Sequence, residues 1–130
     1  MLIYVAAPLE AADLVREANA LIHEAGHELA LDWTRDMSFV AKFSSQPERS
    51  AAMAAGMIDA VLRADAVAVL ATHHEGRGMF VELGAALARA TQGSLAHLAT
   101  IGDITARESV FHQHPSVEHF PTMTDWLGSL

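Results

Sequence analysis

Cysteine is absent from the 130 residues, which excludes disulfides, thiolate metal centres and a cysteine nucleophile. Basic side chains are scarce: eight Lys and Arg stand against sixteen Asp and Glu, a formal net charge of −8. That balance is poor for gripping a polyanion and argues against a nucleic-acid polymer as partner. Long apolar runs are missing too. The longest, Ala66–Ala71 and Leu83–Ala88, fall far short of the roughly 20 residues a membrane helix needs, so no membrane partner is expected. Met1-Leu-Ile-Tyr-Val opens the sequence without a basic n-region, which argues against a signal peptide and for a cytoplasmic protein. Apolar residues are plentiful, 52% against 18% charged, and disorder is excluded. The length suits one domain over residues 1–130, with a real core.

Leu2–Ala6 is a short run with β-branched and aromatic residues, closed by Pro8, and reads as a buried strand. Leu14, Ala18, Leu21, Ile22 and Ala25 then recur at helical spacing, and Gly26 ends that helix. Glu28–Trp33 reads as a second strand and Thr34–Pro47 as a long polar loop. A loop of that length in a small domain is more often functional than idle. Pro47–Ala64 reads as a helix with Pro at its first turn, Ala66–Ala71 as the clearest strand, and His73–Gly78 as a turn. Met79–Thr91 carries Phe80, Leu83, Leu87 and Ala90 in helical phase. Ser94–Thr100 reads as a fourth strand, Val117–Phe120 as a further short run, and the last residues as a final helix. Strands alternating with helices predict an α/β fold with a parallel sheet covered on both faces.

The segment Ala51–Ala64 has only Asp59 and Arg63 as polar residues. A helix on one face of a sheet should show a polar half. Small alanines on a surface helix cost little, but burial against a second subunit is the favoured reading, so a homo-oligomer is expected.

In doubly wound sheets, ligands bind beyond the carboxyl ends of the strands. The richest such end is Thr72-His-His-Glu-Gly-Arg-Gly-Met-Phe-Val-Glu82-Leu-Gly84. Gly76 and Gly78 let backbone approach a ligand, and the next helix offers N-terminal amides to an anion. The stretch is neither G-x-G-x-x-G nor a P-loop, so nicotinamide, flavin and P-loop readings lose their motif, and no cofactor is expected. Glu82 stands in the first turns of a helix, where the dipole favours an ionised, low-pKa carboxylate. Such a group suits a nucleophile, although first-turn acids also serve stability alone.

Ile58-Asp-Ala-Val-Leu-Arg-Ala-Asp-Ala-Val-Ala-Val-Leu, followed by Gly76-Arg-Gly-Met-Phe-Val-Glu-Leu-Gly-Ala-Ala-Leu-Ala88, resembles the nucleoside 2-deoxyribosyltransferase family. Ile3-Tyr4-Val-Ala-Ala-Pro-Leu, Ala25-Gly-His-Glu and Asp32-Trp-Thr are similar to it as well. The resemblance covers most of the chain, and Glu-Leu-Gly-x-Ala is its specific part. It implies a flavodoxin-like sheet of about five strands in the order 2-1-3-4-5. It also implies cleavage or transfer at the N-glycosidic bond of 2′-deoxynucleosides or their 5′-monophosphates, through a covalent deoxyribosyl-glutamate. Glu82 matches the family's nucleophile, Tyr4 the tyrosine that orients it, and Gly78 a turn residue near the sugar. Two alternatives stay open: a 2′-deoxynucleoside 5′-monophosphate N-hydrolase, and a nucleotide-binding module with little turnover.

The sequence departs from the family pattern at two places. Where the family carries a catalytic aspartate, counting back from Asp65 finds Met57. Asp59 is the nearest acid, but two positions along a helix turn a side chain by about 200°. It is equally placed for an i,i+4 ion pair with Arg63. Ahead of Glu82, where many members have Asp, stand Glu75 and Gly76, and Glu75 is the candidate proton donor to the base. Substrate-binding candidates are Trp33, for stacking on a base or for core packing, and Gly76, Arg77 and Gly78 in the turn. Arg77 is there to meet a 5′-phosphate or simply to face solvent. Ser109 falls where family members send a residue into the neighbouring subunit's site. The histidines His23, His27, His73, His74, His112, His114 and His119 invite a metal reading. Gly26 breaks the first pair's helix and no acidic third ligand has motif spacing, so no metal is expected.

Overall fold

The computed structural model describes residues 1–38, 43–105 and 108–130. The expected loop over 34–47 therefore lies partly outside the described residues. Five parallel strands form one sheet in the order β2-β1-β3-β4-β5: β1 (Leu2–Ala6), β2 (Glu28–Leu29), β3 (Ala66–Leu70), β4 (His97–Ile101) and β5 (Glu118–Phe120). This is the doubly wound, flavodoxin-like α/β arrangement. Four α-helices lie among the described residues: α1 (Ala12–Glu24), α2 (Pro47–Arg63), α3 (Arg77–Thr91) and α4 (Met123–Ser129). α2 packs on α3, and α1 on α4. The right-handed crossover rule puts these pairs on opposite faces once the strand order reverses beside β1. None of the described helices is long and apolar enough to cross a membrane.

β3 is buried along its whole length and pairs on both sides, as the continuous run Ala66-Val-Ala-Val-Leu70 requires. Asp65 ties the start of β3 to β1. Its carboxylate accepts from the Leu2 amide at 2.7 Å, and its own amide donates to the Leu2 carbonyl at 2.7 Å. Arg89 on α3 donates to the carbonyls of Val61 and Ala64, both at 2.7 Å, and so satisfies the open end of α2. α3 is thereby held against α2, and its other end is placed over the carboxyl edge of β1.

Several expected boundaries shift. β2 does not run over 28–33 but stops at Leu29. The Asp32 carboxylate accepts from the Thr34 amide and hydroxyl, and the Trp33 indole donates to the Val5 carbonyl at 2.9 Å. Together these curl residues Trp33–Arg35 into a 3-10 turn. β4 begins at His97 rather than at 94, because Ser94 closes α3 by donating its amide to Arg89 at 2.9 Å. α1 turns a different stripe inward from the one expected. Val15, Ala18, Asn19 and Ile22 are buried, while Leu14 is 47% exposed.

Candidate functional site at the carboxyl edge of β1 and β3

The turn after β3 ends at Gly76, which adopts φ +64° and caps α3. A Cβ at Gly76 would stand 3.0 Å from Pro8 Cγ and 3.2 Å from Met79 Cε, so turn, helix and the end of β1 are in close contact there. Because the chain turns at Gly76, Arg77 and Gly78 are the first residues of α3 rather than part of a loop. Their amides have no carbonyl one turn back to bond, so the positive end of the helix faces the strand edge.

Along α3 the buried stripe is Met79, Glu82, Leu83, Ala86 and Leu87. Glu82 thus belongs to the core-facing side of its helix and is only 6% exposed. Tyr4, in the middle of β1 and fully buried, donates its hydroxyl to Glu82 Oε2. Residues far apart in sequence meet because β1 and β3 are neighbours and α3 returns over them.

The electrostatics differ from the sequence expectation. A low-pKa carboxylate was expected from the helix dipole, but burial dominates and lifts Glu82 from 4.5 to about 7, while the Tyr4 hydrogen bond pulls it partly back. Tyr4 is pushed well above the ordinary tyrosine range by burial first and by the Glu82 charge second. It therefore stays a hydroxyl donor at any ordinary pH. A carboxylate stripped of water, with one oxygen held by a neutral donor, is suited to attack an electrophilic carbon once ionised.

The other candidates are placed as follows. Glu75 is exposed in the turn one residue before the Gly76 cap, and Arg77 and Gly78 are exposed at the start of α3. Trp33 is buried and its indole is committed to Val5, yet its ring lines a recess of about 350 Å³. That recess lies between the segment after β2, with Asp32, Arg35 and Asp36, and the α2 residues Arg49, Ala52, Met53 and Gly56. Asp59 faces solvent and pairs with Arg63 at 3.0 Å, while Met57 is half-buried in α2. Ser109 caps the 3-10 turn Val110–Gln113. The structure therefore joins Tyr4 to Glu82, sets Gly76 beside Pro8 and Met79, and gives Asp59 and Ser109 partners of their own.

Two contacts escaped the sequence reading. Thr100 Oγ1 and His119 Nδ1 lie 2.6 Å apart, and His112 is buried with its ring centroid 5.4 Å from that of Phe80. The signal for His112 was its spacing from Ser109, the interval of a capping box. Among the described residues no cluster of three His, Asp or Glu side chains is arranged to hold a metal ion. No family model matches this chain, and no curated protein matches it significantly.

Proposed function

We propose that this protein cleaves or transfers the N-glycosidic bond of 2′-deoxynucleosides, with Glu82 as nucleophile. The observation that carries the reading is the Tyr4–Glu82 pair: a buried, desolvated carboxylate in the second turn of α3, with one oxygen held by a neutral hydroxyl from β1. The Glu-Leu-Gly-x-Ala resemblance supplies the substrate class. In the first step a Glu82 oxygen bonds to the anomeric carbon while the carbon–nitrogen bond breaks. The base leaves with the electron pair and takes a proton, for which Glu75 is the assigned donor. In the second step a new base or water attacks the same carbon, its proton passes to the carboxylate of Glu75, and the bond to Glu82 breaks to free it, the retaining logic of carboxylate glycosidases. Ionised Glu82 is the attacking form, so a pKa of about 7 makes half the molecules competent near neutrality.

A second reading, hydrolysis of deoxynucleoside 5′-monophosphates, is favoured by the exposed Arg77 at the first position of α3. A guanidinium beside free helix amides is a phosphate-binding arrangement. The test is a panel of deoxynucleosides and their monophosphates, with and without a free acceptor base. Transfer to the added base supports the first reading, and release of free sugar phosphate alone supports the second. Binding without turnover of any substrate overturns both and leaves a nucleotide-binding module.

Self-association belongs to the same proposal. α2 buries only Ala60 and Val61, and leaves Ala51, Ala52, Ala54, Ala55 and Leu62 exposed. Val81 on neighbouring α3 is 62% exposed. A homo-oligomer through this face would remove that apolar surface from water.

A further inference from the structure

Beyond β4 the chain makes a 3-10 turn, Val110–Gln113, whose cap is unusual in one residue. In a capping box the first residue is Ser or Thr, and the residue three further on is Glu or Gln, which reaches back to the cap amide. Here Ser109 accepts from the backbone of His112, and His112 takes the Glu or Gln place. The Ser109 amide donates to His112 Nδ1 at 2.9 Å. That bond needs a lone pair on Nδ1, and so a neutral imidazole with its proton on Nε2. The ring is only 3% exposed and meets Phe80 edge-on, with centroids 5.4 Å apart and planes at 73°. Phe80 belongs to the first turns of α3, the helix that carries Glu82.

We propose that residues 109–113 form a histidine-gated latch on the start of α3: neutral His112 closes the cap and seats on Phe80, and a proton on Nδ1 opens both contacts. With that proton two donors face each other, and the Ser109 amide loses its acceptor. A glutamate in this place would hold the cap down to acid pH and a glutamine would hold it at any pH, so histidine alone sets the release near the neutral range. The groups acting on the ring are His119 on β5, which opposes its charge, Glu108 and the Ser109 backbone, which favour it, and the uncharged Phe80 from α3. Burial, the largest influence, holds His112 below the ordinary histidine value, so the latch stays closed through neutrality and opens on mild acidification. His119 is itself held in place by Thr100, whose Oγ1 lies 2.6 Å from its Nδ1. The latch turn also carries Val110 and Phe111, which are 77% and 58% exposed already in the closed state.

The test needs no substrate and is independent of what Glu82 does. On the full chain labelled with nitrogen-15, the His112 ring nitrogens, the Ser109 amide and the Phe80 ring protons are followed by NMR from about pH 8 to pH 5. The expected result is one shared transition in all three probes, below the ordinary histidine midpoint. His112→Gln, which restores the usual capping-box residue, should hold the Ser109 amide and Phe80 signals constant over the range. His119→Gln should move the transition to higher pH. A His112 titration that leaves Ser109 and Phe80 unmoved overturns the latch, as does an unchanged transition in His112→Gln. Should that variant fail to fold, the three wild-type probes decide alone.

Discussion

The hydroxyl of Tyr4, on the first strand, is bonded to the carboxylate of Glu82, on the third helix, inside the core. The pair joins a donor that does not ionise at ordinary pH to an acid that does, and four predictions start from it or from its surroundings.

Glu82→Gln keeps the size of the side chain and an oxygen to accept from Tyr4, so the fold should persist. An amide cannot attack the anomeric carbon as an anion, and base release should fall by roughly a thousandfold or more. In the wild type, a slow 2-fluoro-deoxyribosyl substrate should leave an adduct on the peptide containing Glu82, read by mass spectrometry. An adduct on Glu75 instead would reassign the nucleophile.

Stability should carry the imprint of the same carboxyl. Its folded pKa, about 7, lies above the ordinary 4.5, so the folded chain holds a proton that the unfolded chain releases. The stability this group confers is complete below about pH 4.5 and is lost as pH rises through about 7. Urea melts of wild type and Glu82→Gln at about pH 4 and pH 8 isolate this effect from other titrations. The difference between them should swing by about 3 kcal/mol in favour of the variant at the higher pH. An unchanged difference would show that burial does not raise this pKa.

Tyr4→Phe removes the side-chain hydrogen bond that lowers the Glu82 pKa. The acidic limb of the activity profile, expected near pH 7 in the wild type, should move to higher pH. A hydrogen bond to a charged group is worth about 1.5–3 kcal/mol, so kcat/KM at neutral pH should drop by about tenfold to a hundredfold. Recovery at high pH separates this from misfolding.

Two glycines two positions apart, Gly76 and Gly78, should respond oppositely. Gly76→Ala places a Cβ at φ +64° and 3.0 Å from Pro8 Cγ, and should cost about 1–2 kcal/mol in denaturant melts. Gly78→Ala meets nothing within 4 Å and sits in a helix, so it should be neutral or stabilising by up to about 1 kcal/mol.

Light scattering checks the assembly proposal. Wild type should exceed the 13.9 kDa of one chain at micromolar concentration, and Ala55→Arg, which puts an unpaired charge on the exposed face of α2, should return it to that mass. A wild-type monomer would remove the proposal.

The alternation of apolar runs with helical spacing, and the glycine and proline punctuation, were enough to read the elements and their order from residues alone. The all-parallel 2-1-3-4-5 sheet agrees with what the family resemblance implied. Local chemistry also placed the start of α2 at Pro47 and the glycine turn ahead of α3, since these depend on the residue and its neighbours. Phase and endings were less legible. Leu14 looked like core from its hydropathy, yet Val15 and Asn19 face inward, because which stripe of an amphipathic helix is buried depends on how it docks. β2 ends early because Trp33 finds its acceptor on Val5, a neighbour in space and not in sequence. The Glu82 environment is the clearest division. Sequence placed an acid near a helix N-terminus, where local electrostatics favour its charge. Tertiary packing turned that acid into the core against Tyr4, and desolvation there outweighs the dipole, because removing a carboxylate from water costs more than a helix end returns.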